Sequence, residues 1–380
     1  MSILGLDIGG ANIKAADEAG RTLSRPFAMW KHPERLADEL GSILHEFPQT
    51  ERVAVTMTAE LADCFATKSE GVRFILDAVE TSVACTFSRH RACPGGSAAS
   101  ALLDESQSNR SAEAGESPEQ ARWRGDNAKS LVFVWTTSGR FVSASEAQEQ
   151  PMQVAAANWH ALATWCGRLV PNGASLLIDI GTTTTDIIPL VDGKPIATGL
   201  TDAGRLQTGE LSYSGVQRTP LCAIAHAVPW SDGYCPLAAE LFATTLDVYL
   251  LLGDIASNET DLETANGNPA TKAAAHDRLA RMLCCDRDEV SFGEAVQIAR
   301  FLADVQRQRL AGSLERVASQ LPGPCQTVVV SGSGAFLARR LIAENRRTAT
   351  ANIISLDDQF SPGIAEAACA YAVAQLLARN

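Results

Sequence analysis

The chain has 380 residues, of which 46% are apolar and 20% charged, and its formal net charge is −12; this describes a globular protein of two or three domains. The acidity excludes a nucleic-acid face or an anionic membrane surface as the main partner, since both need basic patches, so a phosphorylated ligand would have to be gripped locally by backbone N–H groups, a metal ion or a few placed cations. Ten cysteines form no Cys-x-x-Cys pair, no run reaches the ~18 apolar residues of a membrane span, and the chain opens directly on a strand pattern without a leader, so a cytoplasmic protein with reduced thiols is expected.

In chain order, residues 3–8 read as a strand, followed by the Gly9-Gly10 turn and a second strand over 11–16. Residues 34–47 have helical spacing, 52–57 and 82–87 read as short apolar strands, and 131–135 and 140–143 as two more. Between 94 and 129 the composition turns to Ser, Ala, Gly and Glu, and about 104–127 is expected to be a mobile insertion, too poor in apolar surface to order itself. A helix is expected over 152–169, broken by Pro171-Asn172-Gly173. Strands follow at 175–180, 184–191 and 195–200, the last two joined by an Asp192-Gly193 hairpin turn. Helices are expected at 237–252, 291–320, 335–345 and 362–378, with strands at 327–331 and 352–356. This alternation predicts an α/β fold of two lobes, 1–172 and 173–356, closed by a C-terminal segment 357–380.

One chemical idea occurs twice. Leu6-Asp7-Ile8-Gly9-Gly10-Ala11-Asn12-Ile13-Lys14 is matched by Ile178-Asp179-Ile180-Gly181-Thr182-Thr183-Thr184-Thr185-Asp186-Ile187: an apolar strand, an Asp near its end, a glycine turn, small polar residues and another apolar strand. Glycine lets backbone approach a bulky anion, successive turn N–H groups form an anion-binding concavity, and Thr hydroxyls add donors. The Asp can hold a divalent cation, usually through water, or orient an attacking group. A plain β-hairpin is the bland alternative for either turn alone; two such turns, each opening a lobe, favour the phosphate grip. A third glycine turn, Gly332-Ser333-Gly334, runs from strand to helix and could take an anion or serve only close packing.

Asp7-Gly9, Asp179-Gly181 and Gly332-Gly334, in this order, resemble the phosphate-1, phosphate-2 and adenosine motifs of the actin, sugar-kinase and heat-shock-ATPase superfamily. That resemblance implies a ribonuclease H-like fold with two lobes, a central ligand cleft, and a last helix returning to lobe one. The runs GLDIGGANIKAA, TMTAELADCF, NWHA at 158–161, LIDIGTTTTDIIPL, TGLTDAGRLQTGELSYSGVQRTPL and AAELFATTLDVYLLLGDI are similar to the hydantoinase/oxoprolinase-related proteins of the tetrahydromethanopterin-linked C1 pathway, the methanofuran-biosynthesis synthases among them. The implied reaction joins an aminomethylfuran diphosphate to a γ-glutamyl phenol and releases diphosphate. Gly9, Gly10, Asn12, Gly181, Thr182, Thr183 and Thr184 would then face the phosphates, with Mg²⁺ near Asp7 and Asp179. ATP is compatible with the pattern but not required by it.

Lys14 could add a cation or be a solvated strand residue. In the run 201–210, Arg205 could pair with a phosphate or a substrate carboxylate and Asp202 or Glu210 could act as a base, the alternative being a polar surface loop; Arg218 is placed with them. Thr58 and Glu60 follow a core strand and are either cleft groups or, for Thr58, a helix cap; Asn158 and His160 lie on a helix, where His160 could face ligand or simply pack. An ATP-dependent hydantoinase- or oxoprolinase-type hydrolase, a small-molecule kinase and a non-catalytic nucleotide switch are the competing readings. A homo-oligomer is compatible with the pattern.

Overall fold

The computed structural model describes residues 2–91 and 131–379. The expected mobile insertion at about 104–127 lies outside these residues. The chain divides into two compact units, 1–162 with 369–380, and 163–368.

Unit 1 is built on a six-stranded sheet. Its strands are β1 (Ser2–Ile8), β2 (Asn12–Asp17), β3 (Thr22–Pro26), β4 (Thr50–Met57), β5 (Val132–Trp135) and β6 (Phe141–Ser143), in the order β3-β2-β1-β4-β5-β6. β1 and β2 are antiparallel, β2 and β3 likewise, and β4 and β5 run parallel to β1. Residues 53–57 of β4 are all buried, as a central parallel strand requires. The helix Leu36–Glu46 buries Leu36, Leu40, Ile43 and Leu44 on one stripe. Gly5 allows a close approach. A Cβ there would lie 1.9 Å from the Ala370 carbonyl oxygen, so only glycine lets the helix Ala368–Leu377 touch β1.

Unit 2 repeats the plan with β7 (Ala174–Ile180), β8 (Thr185–Val191), β9 (Lys194–Pro195), β10 (Leu211–Ser212), β13 (Thr327–Ser331) and β14 (Asn352–Ser355). The order is β10-β8-β7-β13-β14, with β9 also on β8. β7 and β8 are antiparallel, while β13 and β14 run parallel to β7. A separate hairpin joins β11 (Ala227–Trp230) and β12 (Gly233–Pro236). A three-strand antiparallel meander continued by two parallel strands is the ribonuclease H-like order. Its occurrence in both units is the duplicated α/β plan of the actin-like ATPases. The unit 2 core is closed by the helices Thr245–Leu252, Lys272–Arg281, Phe292–Ala318 and Ala335–Glu344.

Several local expectations are corrected. The stretch 82–87 is not a strand but part of the helix Lys68–Arg91. Its β-branched residues favour a strand locally, yet Val72, Ile75, Leu76, Val79 and Val83 are buried at helical spacing, and Ser82 returns its hydroxyl to the Val79 carbonyl at 2.8 Å. The expected strand 195–200 shrinks to Lys194–Pro195, and Asp192-Gly193 turns with φ of 48° and 74°. The run 201–210 contains a helix, Asp202–Thr208, capped by Thr201 and ended by Gly209 at φ 86°. Helix 237–252 begins only at Thr245, where Thr244 and Asp247 form a capping box. No helix among the described residues is long and apolar enough to cross a membrane.

Candidate functional site

The two Asp-Gly turns have the same hydrogen-bond wiring. In unit 1 the Gly9 N–H donates to the Asn12 carbonyl at 2.9 Å; in unit 2 the Gly181 N–H donates to the Thr184 carbonyl at 2.9 Å. Each turn's other carbonyls accept from a strap supplied by the same unit. Met29 N–H donates to Gly10 O at 3.0 Å and Phe27 N–H to Ala11 O at 2.8 Å. Val216 N–H donates to Gly181 O at 3.1 Å, and Gln217 and Arg218 N–H donate to Thr182 O at 3.0 and 2.9 Å. Among the described residues, none accepts from the N–H groups of Gly10, Ala11, Thr182 or Thr183. Each turn therefore leaves two successive donors for an anion.

The rows of side chains beneath the turns differ in charge. In unit 1 the cross-strand row is Lys14–Asp7–Thr56. Asp7 Oδ1 and Thr56 Oγ1 are buried with no hydrogen-bond partner. Burial raises the Asp7 carboxyl from 3.8 to about 6, with the Lys14 charge pulling the other way. In unit 2 the row is Asp186–Asp179–Ser331. Burial raises the Asp186 carboxyl, and the Arg205 guanidinium, paired with it, opposes that rise.

Arg205 and Glu210 do not form an open polar loop. Arg205 is 2% exposed and lies on the inner side of the short helix, where it reaches Asp186; Asp202 stands 4.0 Å from its other amino group. Glu210 is fully buried, and its carboxylate accepts from the N–H groups of Thr198 at 2.6 Å and Gly199 at 2.8 Å. Both side chains hold the chain around β8 in place. Gly199 permits this, because a Cβ would meet the Arg205 nitrogen at 2.6 Å.

The third glycine turn abuts Asp179. Gly332 has φ of 84°, and a Cβ there would come 2.5 Å from Asp179 Oδ1 and 2.3 Å from the Ile180 carbonyl; the Gly334 N–H donates to that carbonyl at 2.8 Å. Ser333 is exposed. Residues 58–59 occupy the corresponding place in unit 1, with the N–H groups of Thr58 and Ala59 donating to Ile8 O at 2.9 and 3.1 Å. Thr58 is exposed and Glu60 buried. His160 accepts from the Trp135 indole N–H at 3.3 Å through Nδ1 and packs edge-on to Trp159, and Asn158 Nδ2 lies 3.9 Å from Cys369 Sγ. Arg218 is half-exposed and donates to Glu263 at 2.8 Å.

Composition and spacing gave no notice of what fixes the unit 2 strap. Gln306, fully buried on the long helix, donates to Ser214 Oγ at 2.9 Å and Gly215 O at 2.8 Å, and accepts from the Tyr249 hydroxyl at 2.6 Å. Thr245 Oγ1 also donates to Gly215 O at 2.9 Å, and Thr185 Oγ1 to Ser214 O at 2.7 Å. The available signal was a glutamine between Leu302 and Leu310 on an apolar helix face.

The family model for hydantoinase/oxoprolinase matches residues 116–380. The chain belongs to the hydantoinase/oxoprolinase family. It is 29% identical over 382 residues to a protein of Methanocaldococcus jannaschii, covering 100% of this chain and 98% of that protein. That relative is named (4-{4-[2-(gamma-L-glutamylamino)ethyl]phenoxymethyl}furan-2-yl)methanamine synthase. A Methanococcus vannielii protein of the same name is 31% identical over 202 residues, 53% of this chain and 90% of that protein. Among solved structures, nucleotide-free acetone carboxylase superposes with a TM-score of 0.54 at 11% identity, over 98% of this chain and 70% of that one, a likeness of fold.

Proposed function

We propose that this family member is a transferase that builds an aryl ether, coupling an aminomethylfuran diphosphate to a γ-glutamyl phenol of the γ-glutamyltyramine type and releasing diphosphate, as a step in making a methanofuran-type C1 carrier. The full-length similarity to a synthase named for a phenoxymethylfuran product carries this reading. In the reaction the phenol oxygen forms a bond to the furanylmethyl carbon. The carbon–oxygen bond to diphosphate breaks and its electron pair leaves with the diphosphate. The phenol proton passes to a base.

The wiring of each turn, taken by itself, supports this reading. The N–H pairs at Gly10-Ala11 and Thr182-Thr183 suit phosphate oxygens. Asp7, with a carboxyl near 6 and Lys14 beside it, suits the proton. A phenol near pKa 10 giving its proton to a group near 6 is uphill by about 5 kcal/mol, against about 8 for an ordinary Asp, so the raised value lowers the cost of a transfer that accompanies carbon–oxygen bond formation. Arg205 and Glu210 are positioning residues for the chain around β8.

Mg²⁺ fits the donors present. Among the described residues no three acidic, His or Cys side chains gather as a metal cage, but Mg²⁺ commonly uses one or two carboxylates with waters and substrate phosphates. Asp179, in register with Asp186, offers such a carboxylate in unit 2. When bound, Mg²⁺ would neutralise charge on the departing diphosphate.

Incubating the protein with the aminomethylfuran diphosphate, γ-glutamyltyramine and Mg²⁺ should yield the coupled ether by mass spectrometry, with stoichiometric diphosphate. No ether from active substrates overturns the reading. The family match itself favours a second one, an ATP-dependent ring hydrolase. Strong thermal stabilisation by ATP with none by diphosphate would select it.

A further inference from the structure

We propose that Arg218 is a ligand-binding cation held in reserve by Glu263, which exchanges that carboxylate for the oxygens of a diphosphate at the Gly181–Thr184 turn. The proposal rests on the reading above that this turn holds a diphosphate.

Three observations place Arg218 there. First, its own N–H and that of Gln217 both donate to Thr182 O, so its backbone is pinned to the turn whose Thr182 and Thr183 N–H groups have no acceptor among the described residues. Second, the strap that carries it is built rigidly. Gly215 crosses so close to the turn that a Cβ would meet the carbonyl carbon and oxygen of Thr182 and the nitrogen of Thr183, each at 2.5 Å. Gly215 O accepts from Gln306 and Thr245, and the Gly215 N–H donates to Thr219 Oγ1 at 2.9 Å. Such a scaffold is far more than a solvent loop needs, and it fixes the root of one half-exposed side chain. Third, the partner is weak. Glu263 is 65% exposed and Arg218 36%, and an exposed pair of this kind is worth little and is easily traded. A phosphate offers Arg a bidentate charge-assisted contact in place of a single one. Arg205, the other arginine near this turn's strands, cannot serve because it is buried against Asp186.

The two members of the pair should therefore act with opposite signs. Binding of inorganic diphosphate with Mg²⁺ is measured by calorimetry on the full chain. Arg218→Ala should weaken it about 10- to 100-fold, as loss of a charge-assisted contact does, and Arg218→Lys less. Glu263→Gln should tighten it by up to about 5-fold, by removing a competitor worth no more than ~1 kcal/mol. A merely structural ion pair would instead move both variants the same way, through stability. Wild-type affinity in Arg218→Ala, or weakening in Glu263→Gln, overturns the proposal while the diphosphate reading stands. Weakened binding of γ-glutamyltyramine with unchanged diphosphate binding also overturns it, assigning Arg218 to a substrate carboxylate. Failure of the wild-type protein to bind diphosphate overturns both.

Discussion

Replacing Asp7 with asparagine should stabilise unit 1 while removing activity. Asp7 Oδ1 is buried without a hydrogen-bond partner, and burial holds the carboxyl near 6 instead of 3.8. A folded-state pKa above the unfolded one means that the folded protein binds the proton more tightly. Stability tied to this group is therefore full below pH 3.8 and is lost as the pH rises through about 6. At ~1.4 kcal/mol per tenfold change, the ionised form costs about 3 kcal/mol at pH 8, a ceiling because the residue as a whole keeps some exposure. Asn keeps the shape without the charge. Asp7→Asn should therefore unfold at higher urea than wild type at pH 8 in EDTA, and the gap should close as both are taken toward pH 4. Near-equal stability at pH 8, or a gap independent of pH, refutes the argument. A variant less stable at pH 8 would show that the carboxylate is well solvated or paired.

Gly5→Ala should destabilise unit 1 by more than ~2 kcal/mol, since the new methyl meets the backbone of Ala370, which cannot move aside as a side chain could; urea unfolding followed by unit 1 tryptophans reads it. Glu210→Ala leaves the N–H groups of Thr198 and Gly199 without their acceptor and should cost about 2–4 kcal/mol in thermal or urea unfolding; no loss would show that water replaces the carboxylate. Asp179→Asn should lower ether formation by at least about 100-fold with little change in melting temperature, and wild-type turnover in this variant would remove Asp179 from the chemistry.

The two glycine turns were legible because their signal is local: Asp, Gly and small polar residues within seven positions leave the backbone few alternatives. Most strands of both sheets were legible for the same reason, as short apolar runs separated by turn residues, but their order across each sheet, and the strands β3 and β10, were not. What lay hidden depended on distant partners. Thr201 and Gly209 are ordinary helix caps, but Gly204 inside a seven-residue helix obscured it. Arg205 looks like a ligand arginine in sequence; only the neighbouring strand, with Asp186 on its inner face, turns it inward. The hold of Gln306 on Gly215 spans 91 positions, and nothing near either residue announces the other.

The close passage of Ala370 over Gly5 also bears on how the molecule is made. Unit 1 is discontinuous: its last segment, 369–380, is synthesised after all of unit 2, whose residues 163–368 are contiguous. Unit 2 can thus fold as soon as it emerges, whereas the first sheet, covered on the Leu4 and Leu6 side by helices made early, must wait on its Gly5 side for a helix more than 350 positions away. The earliest-made strands are then the last to be sealed, and the interval is one in which chaperones would find that side of β1 exposed.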